Sequence, residues 1–316
     1  MGLKCAIAGY GLAGAVFHAP LIEAVDGLDL TAVMTRSPER AEQARAAHPG
    51  VRVVKTLDEL LEDADLLVVA TPNSAHVEVA MGALARGLHV VVDKPLAVTA
   101  GDARRLVDAG SERVTVFHNR RWDGDFLTVQ RLVREGALGR ITRFESRFER
   151  FRPQIKEGWR EHGTPGEGGG ALLDLGPHLV DQALQLFGPP ESVYGEVRTL
   201  RPGALVDDDA FIALTHRGGE ISHLWMSAIA PLHGQRFRVS GMDSGFASDG
   251  LDPQEAQLRD GMRPGDPAFG EREGFERGNY VAFYEGVRDW VRGQARAPVD
   301  AWDGVRVLEI LEAARA

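Results

Sequence analysis

Cysteine is almost absent. The 316 residues contain one, Cys5, inside an apolar run. An internal disulfide framework is therefore excluded, and the usage fits a reducing compartment. Basic residues are the minority, 36 Lys and Arg against 46 Asp and Glu, for a net charge of −10. That balance disfavours a nucleic-acid partner, which would usually meet a basic patch. It does not constrain a small substrate, because a site can be locally basic. No apolar run is long enough to span a bilayer. The N-terminus lacks the basic-then-apolar pattern of a signal peptide. The expected location is the cytoplasm, with no membrane or nucleic-acid partner. No H-E-x-x-H string and no clustered Cys/His spacing occurs, so no metal is expected. Repeats and low-complexity tracts are also missing. What remains is an ordinary globular composition, 44% hydrophobic and 26% charged, long enough for two domains.

The first half alternates apolar runs with amphipathic stretches. Strands are expected at 4–8, 29–35, 52–54, 66–70, 89–93 and 114–118. Helices are expected at 14–25, 38–47, 57–62, 74–86 and 99–109. This alternation implies βαβ units and a doubly wound parallel sheet. The first strand ends in Gly9-Tyr10-Gly11-Leu12-Ala13-Gly14, a G-x-G-x-x-G loop that opens a helix. In that context the loop is a dinucleotide site, with the pyrophosphate at the helix N-terminus. The second strand ends in Met34-Thr35-Arg36-Ser37, without the carboxylate that would hold the ribose of NAD. Arg36 and Ser37 suit a 2′-phosphate, which favours NADP(H) over NAD(H) unless Arg36 is a solvated loop residue. After the fourth strand, Thr71-Pro72-Asn73 and then His76 are candidate cofactor contacts, although Asn73 or Ser74 would also serve as a helix cap and His76 could equally be a helix residue facing solvent. Lys94, between Asp93 and Pro95, closes the fifth strand where a nicotinamide should lie.

The second half reads differently. A helix is expected at 126–135, and strands at 141–151, 192–200, 210–216, 221–226 and 237–240. Residues 243–278 look like long loops, and closing helices are expected at 280–292 and 302–314. Consecutive strands indicate an antiparallel sheet and an α+β domain. The division expected is a Rossmann domain at 1–119 and a substrate-binding and oligomerisation domain at 120–316. An open sheet needs cover, so a homodimer or homotetramer through it is expected. A glycine-rich segment at 163–170 leads into Asp174-Leu175-Gly176-Pro177-His178. On a helix Asp174 and His178 share a face, unless Pro177 breaks it. Such a pair is either an acid–base unit or a helix-stabilising contact.

Four strings in order carry a resemblance: GYGLAG at Gly9–Gly14, TPNSAH at Thr71–His76, DKP at Asp93–Pro95 and DLGPH at Asp174–His178. Over nearly its whole length the chain resembles the Gfo/Idh/MocA family, the glucose–fructose oxidoreductase and inositol dehydrogenase group. The strings GYGLAGAVFHAPL, VFHNRRWDGDF and FERFRP look like an NADP-linked subgroup that includes scyllo-inositol dehydrogenases. Asp93 departs from the Glu common at that position, with the charge kept. The resemblance implies a Rossmann domain followed by an α+β domain with a large, mainly antiparallel open sheet. By motif match, Lys94, Asp174 and His178 would be catalytic. The implied reaction moves a hydride between NADP(H) and a secondary alcohol or ketone of a sugar, polyol or inositol. His178 would exchange the hydroxyl proton, Lys94 would stabilise charge on the oxygen, and Asp174 would orient substrate and His178. Arg121, Trp159, Arg160, Asn279 and Tyr280 are candidates for the sugar pocket, or structural residues. The alternatives are nicotinamide-assisted glycoside cleavage and a non-enzymatic NADP-sensing regulator.

Overall fold

The continuous apolar runs become strands buried on both sides in the computed structural model, which describes residues 2–156 and 158–316. β1 (Leu3–Ala8), β2 (Leu28–Met34), β3 (Arg52–Val54), β4 (Leu66–Val69), β5 (His89–Asp93) and β6 (Val114–Phe117) form one sheet. Its order is β3-β2-β1-β4-β5-β6, and every pairing is parallel. Leu66 to Val69 and Val90 to Val92 are fully buried, each worth roughly 1.5–3 kcal/mol by transfer from water. The order reverses between β1 and β4, which opens a crevice at their carboxyl ends.

The connecting helices are α1 (Ala19–Glu23), α2 (Pro38–Ala47), α3 (Leu57–Leu61), α4 (His76–Leu84) and α5 (Ala100–Gly110). A turn of π-helix, Ala13–His18, precedes α1. Local chemistry sets the starts: Ser37 caps α2, Thr56 and Glu59 form a capping box on α3, and Thr99 caps α5.

The second layer begins with α6 (Gly124–Arg134), β7 (Ile141–Glu149), the short α7 (Trp159–His162) and α8 (Ala171–Phe187). It continues with β8 (Pro190–Arg198), β9 (Asp209–His216), β10 (Ile221–Ser227), β11 (Phe237–Gly241) and β12 (Gly245–Ser248). The order is β12-β11-β7-β10-β9-β8, antiparallel except for β7 with β10. The molecule is thus α/β plus α+β. α8 packs on β9 and β10 through a buried face that includes Leu172, Leu179 and Ala183. The proline in α8 does not end it: the helix runs through Pro177 to Phe187. Its start is capped from outside, since Asp207 accepts from Ala171 N–H through its carbonyl and from Leu172 N–H through its carboxylate, at 2.8 and 2.7 Å.

Residues 243–278, expected as loops, contain β12 and α9 (Gln254–Arg259). Both are too short for a periodic pattern to appear in a sequence window. The strand expected at 141–151 stops at Glu149, with one further bridge from Phe151 to Ile229. The chain leaves the first sheet through the turn Asn119–Trp122 and later returns to it. α10 (Val281–Val291) packs Phe283 edge-on against Phe117, ring centroids 4.9 Å apart, and brings Tyr284 Oη to 2.6 Å from His18 Nδ1. α11 (Ala301–Ala313) packs on α5 and α8, and Thr115 donates to Val299 O just before it. Among the described residues no helix is long and apolar enough to cross a membrane.

Candidate active site

A cavity of about 400 Å³ lies where the carboxyl ends of the first sheet meet β7, α8 and α9. The glycine loop contributes Leu12 and Ala13, β5 contributes Asp93 and Lys94, and α8 contributes Asp174 and His178. Three distant stretches of sequence thus converge on one space.

Lys94 Nζ donates to the backbone carbonyl of Asp174 at 2.7 Å and lies 3.2 Å from Asp174 Oδ1. Arg160 Nε stands 3.5 Å from the same carboxylate oxygen. Burial opposes ionisation of Asp174, but Lys94, Arg160 and Arg150 outweigh it and hold the carboxyl below its ordinary range. His178 follows one turn later on the same helix, against the ring of Phe148. Burial first, then Lys94, Arg120 and His118, keep the imidazole well below its usual pKa. It is a neutral base at pH 7. Its Nδ1 is buried with no hydrogen-bond partner among the described residues. A neutral base beside a lysine is the pairing needed to take a proton from a hydroxyl and hold charge on its oxygen.

The glycine loop fits a dinucleotide. A Cβ on Gly9, at φ +98°, would strike Ala70 O, and one on Gly14 would strike Gly9 O at 2.2 Å. These two glycines let the loop turn and the helix close on the strand. Gly11 is different: a Cβ there meets nothing nearer than Arg40 Nη1 at 3.8 Å. The open space above Gly11 is where a pyrophosphate approaches in this fold. Arg36 is exposed at the end of β2. Ser37 spends its hydroxyl on the cap of α2, accepting from Arg40 N–H at 3.3 Å. Leu12 faces the cavity, but Tyr10 does not: its hydroxyl bonds His48 Nε2 at 2.8 Å, leaving only its backbone to the loop's cleft. Thr71 Oγ1 is buried without a partner among the described residues, and Pro72 beside it is exposed. Asn73 donates to Gly168 O at 2.9 Å and so ties the loop before α8 to the first sheet. His76 is buried between the carbonyls of Pro95 and Thr71, at 2.8 and 3.0 Å. It ties the turn after β4 to the turn that follows Lys94.

Of the sugar-pocket candidates, Arg160 lines the cavity. Trp159 begins α7, and its side chain lies outside the described residues. The other three stand elsewhere. Arg121 is held by Asp181, through Nε at 2.9 Å and Nη2 at 2.6 Å, and by Asp303 at 2.8 Å. Tyr280 is fully buried and donates to Asp123 Oδ1 at 2.6 Å. Asn279 is exposed and accepts from Ala282 N–H. Arg120, Arg150, Arg152 and Glu255 do line the cavity, unnoticed in the sequence. Only strand alternation carried through FERFRP hinted at Arg150 and Arg152; Glu255 lies in the unrecognised α9. Arg40, three residues into α2, gave no signal either. Among the described residues no group of three or more His, Cys, Asp or Glu could hold a metal ion.

The chain is similar to known proteins over most of its length. Residues 3–119 match the family model described as the oxidoreductase family with an NAD-binding Rossmann fold, and 126–246 match the GFO/IDH/MocA C-terminal domain. The chain is 40% identical to the oxidoreductase YdgJ of Escherichia coli K12, covering 98% of this chain and 94% of that one. It is 35% identical to the scyllo-inositol 2-dehydrogenase (NADP(+)) IolW of Bacillus subtilis 168, covering 99% and 92%. The solved structure of the oxidoreductase yvaA from Bacillus subtilis superposes with a TM-score of 0.92 at 34% identity, over 100% of this chain and 95% of that one. GenD2 from gentamicin A biosynthesis, solved with NAD, superposes at 0.82 with 27% identity, covering 99% and 93%. A glycine loop shaped for a dinucleotide, a lysine and a neutral histidine on one cavity, and two family matches over most of the length have one consequence: the chain is an oxidoreductase of the Gfo/Idh/MocA family.

Proposed function

We propose that the protein is an NADP(H)-dependent oxidoreductase acting on a secondary alcohol or ketone of a sugar, polyol or inositol. The observation that carries this reading is the meeting of Lys94, Asp174 and His178 on the cavity that Leu12 and Ala13 of the glycine loop also line. Gly9 to Gly14 would hold the pyrophosphate, and Arg36 with Arg40 the 2′-phosphate. When bound, the nicotinamide accepts or gives the hydride. The chain's own residues manage the proton. In the oxidative direction the C–H electron pair leaves as hydride while the O–H proton passes to neutral His178. Lys94 donates to the same oxygen and stabilises the charge it gains. Asp174 fixes the ammonium of Lys94 and so aims it. Reduction runs the same steps backwards, with His178 protonated first. The preference for NADP(H) is supported by Arg36 just after β2 and Arg40 in the first turn of α2, by the lack of a carboxylate at the strand tip, and by the NADP(+) in the name of the 35% identical relative.

A panel of inositols, aldoses and polyols assayed with NADP tests the reading. Lys94→Ala and His178→Ala should each lower kcat about 10²- to 10⁴-fold while NADPH still binds. Near-normal kcat in either variant removes that residue from the chemistry. Turnover without net change in NADP(H) would point instead to nicotinamide-assisted glycoside cleavage. Failure of every compound to change NADPH absorbance would favour a cofactor-sensing regulator.

A further inference from the structure

We propose that the molecule bound opposite the cofactor carries an oxyanion, a carboxylate or a phosphate ester, held by Arg150 and Arg152. This rests on the polyol oxidoreductase reading and narrows its substrate. The chain is acidic at −10, yet among the described residues the cavity wall carries eight Lys and Arg against six Asp and Glu. The carboxylates there are already engaged. Glu255 pairs with Arg120 and Arg259, Glu161 and Asp208 with Arg201, and Asp207 with Arg315. Those pairs neutralise the arginines in them as well. Arg150 and Arg152 stand apart: among the described residues their side chains make no hydrogen bond or ion pair.

Their placement is not accidental to the chain. They follow β7, where the backbone stays extended, with Arg150 N–H bonded to Ser227 O and Arg152 N–H to Ala228 O. Alternate residues of extended chain face the same way, so both aim into the cavity while Phe151 between them is 55% exposed. Burial lowers the pKa of the Arg150 guanidinium, and Arg152 and Arg120 add repulsion against the pull of Asp174 and Glu255. The carboxylates nearest this half-buried charge are already paired with other cations, and a bound oxyanion offsets the cost of its burial. Two guanidinium forks also match a carboxylate or phosphate in shape. The cofactor's own 2′-phosphate is not the anion required, since Arg36 and Arg40 stand at the other end of the dinucleotide cleft. A neutral polyol could accept hydrogen bonds from the pair, but would bring no negative charge of its own.

The test uses the full chain loaded with NADPH, titrated with D-glucose, D-glucuronate and D-glucose 6-phosphate, with NADP turnover of each measured alongside. At least one anion should bind about 10-fold or more tighter than glucose. Arg150→Gln and Arg152→Gln should each weaken that anion about 10- to 100-fold, the loss expected for a charge-assisted hydrogen bond, and change glucose little. Unchanged NADPH affinity in both variants shows that they fold. The uronate and phosphate arms tell the two oxyanions apart. Equal binding of all three sugars, no binding of either anion, or equal losses for anion and glucose overturns the proposal. Anion binding through Arg150 without turnover would leave it standing and remove the oxidoreductase reading for these sugars. Turnover without charge preference would do the reverse.

Discussion

His178 is surrounded by positive charge: Lys94, Arg120 and Arg236 all push its imidazole toward the neutral form, in addition to burial. The acid limb of kcat/KM in the oxidative direction should therefore lie well below the ordinary histidine range near 6.5. A pH–rate profile measures this, and a limb at or above 6.5 would contradict the environment described. Lys94→Gln should move the limb upward in whatever activity remains. Cys5 shows the opposite fate of a titratable group. Burial pushes its thiol up to about 12, which leaves it an inert strand residue, as its place in an apolar run implied. At this scale the sequence was readable where chemistry and chain position coincide. Lys94 ends a buried strand, and Asp174 and His178 are one helical turn apart. It was not readable where a side chain's partner comes from far along the chain. Nothing beside Arg121 announces Asp181 and Asp303, and nothing beside Tyr280 announces Asp123.

The glycine loop and the helix after it separate folding from binding. Gly14→Ala would drive a Cβ into Gly9 O, and the loop and helix would have to part. A loss of about 2 kcal/mol or more is expected, together with loss of NADPH binding. Gly11→Ala meets open space, so stability should stay within about 0.5 kcal/mol while NADPH affinity falls sharply. Urea unfolding and NADPH fluorescence titration, run on both variants, distinguish the two. At the start of α2, Arg36→Ala and Arg40→Ala should each erode a preference for NADP over NAD in kcat/KM by about 10-fold. A wild-type preference for NAD would refute the role given to both. Elements with a clear apolar pattern were legible: the six parallel strands emerge close to where that pattern places them. β12 and α9 did not, because four to six residues between turns hold too few side chains to establish a period. That α8 would pass through Pro177 was also hidden, since its course depends on packing against β10 and α11.

Across the molecule, His18, His76, His118 and His178 are buried, with pKa values lowered by burial. That of His18 falls to about 4. Each is neutral in the folded state, whereas the unfolded chain takes protons near pH 6.5. The stability they support is complete above that pH and is lost as pH falls toward the folded values. For His18 alone the loss down to pH 4 is about 3 kcal/mol. Urea midpoints at pH 7 and 5 should show this, and His18→Gln should make the slope shallower. The outer face of the second sheet carries Phe211, His223 and Trp225 in mutual contact, with Arg147 3.8 Å above the Trp225 ring. We propose this face as the site of self-association. Trp225→Asp should convert the oligomer to a smaller species by light scattering, and a wild-type monomer would refute the assignment.

The return of α10 and α11 to the first sheet also sets an order of events during synthesis. Phe117, His18 and Thr115 wait for Phe283, Tyr284 and Val299, which follow more than 160 residues later. The nucleotide-binding layer therefore cannot be completed on the ribosome until the whole second sheet has emerged. A nascent chain stalled near residue 270 should leave this layer accessible to protease, and the full chain followed by about 40 residues of added C-terminal linker, enough to clear the ribosomal tunnel, should protect it. The two halves mature together, so the cofactor meets a finished cleft only when the opposite wall of the cavity already exists.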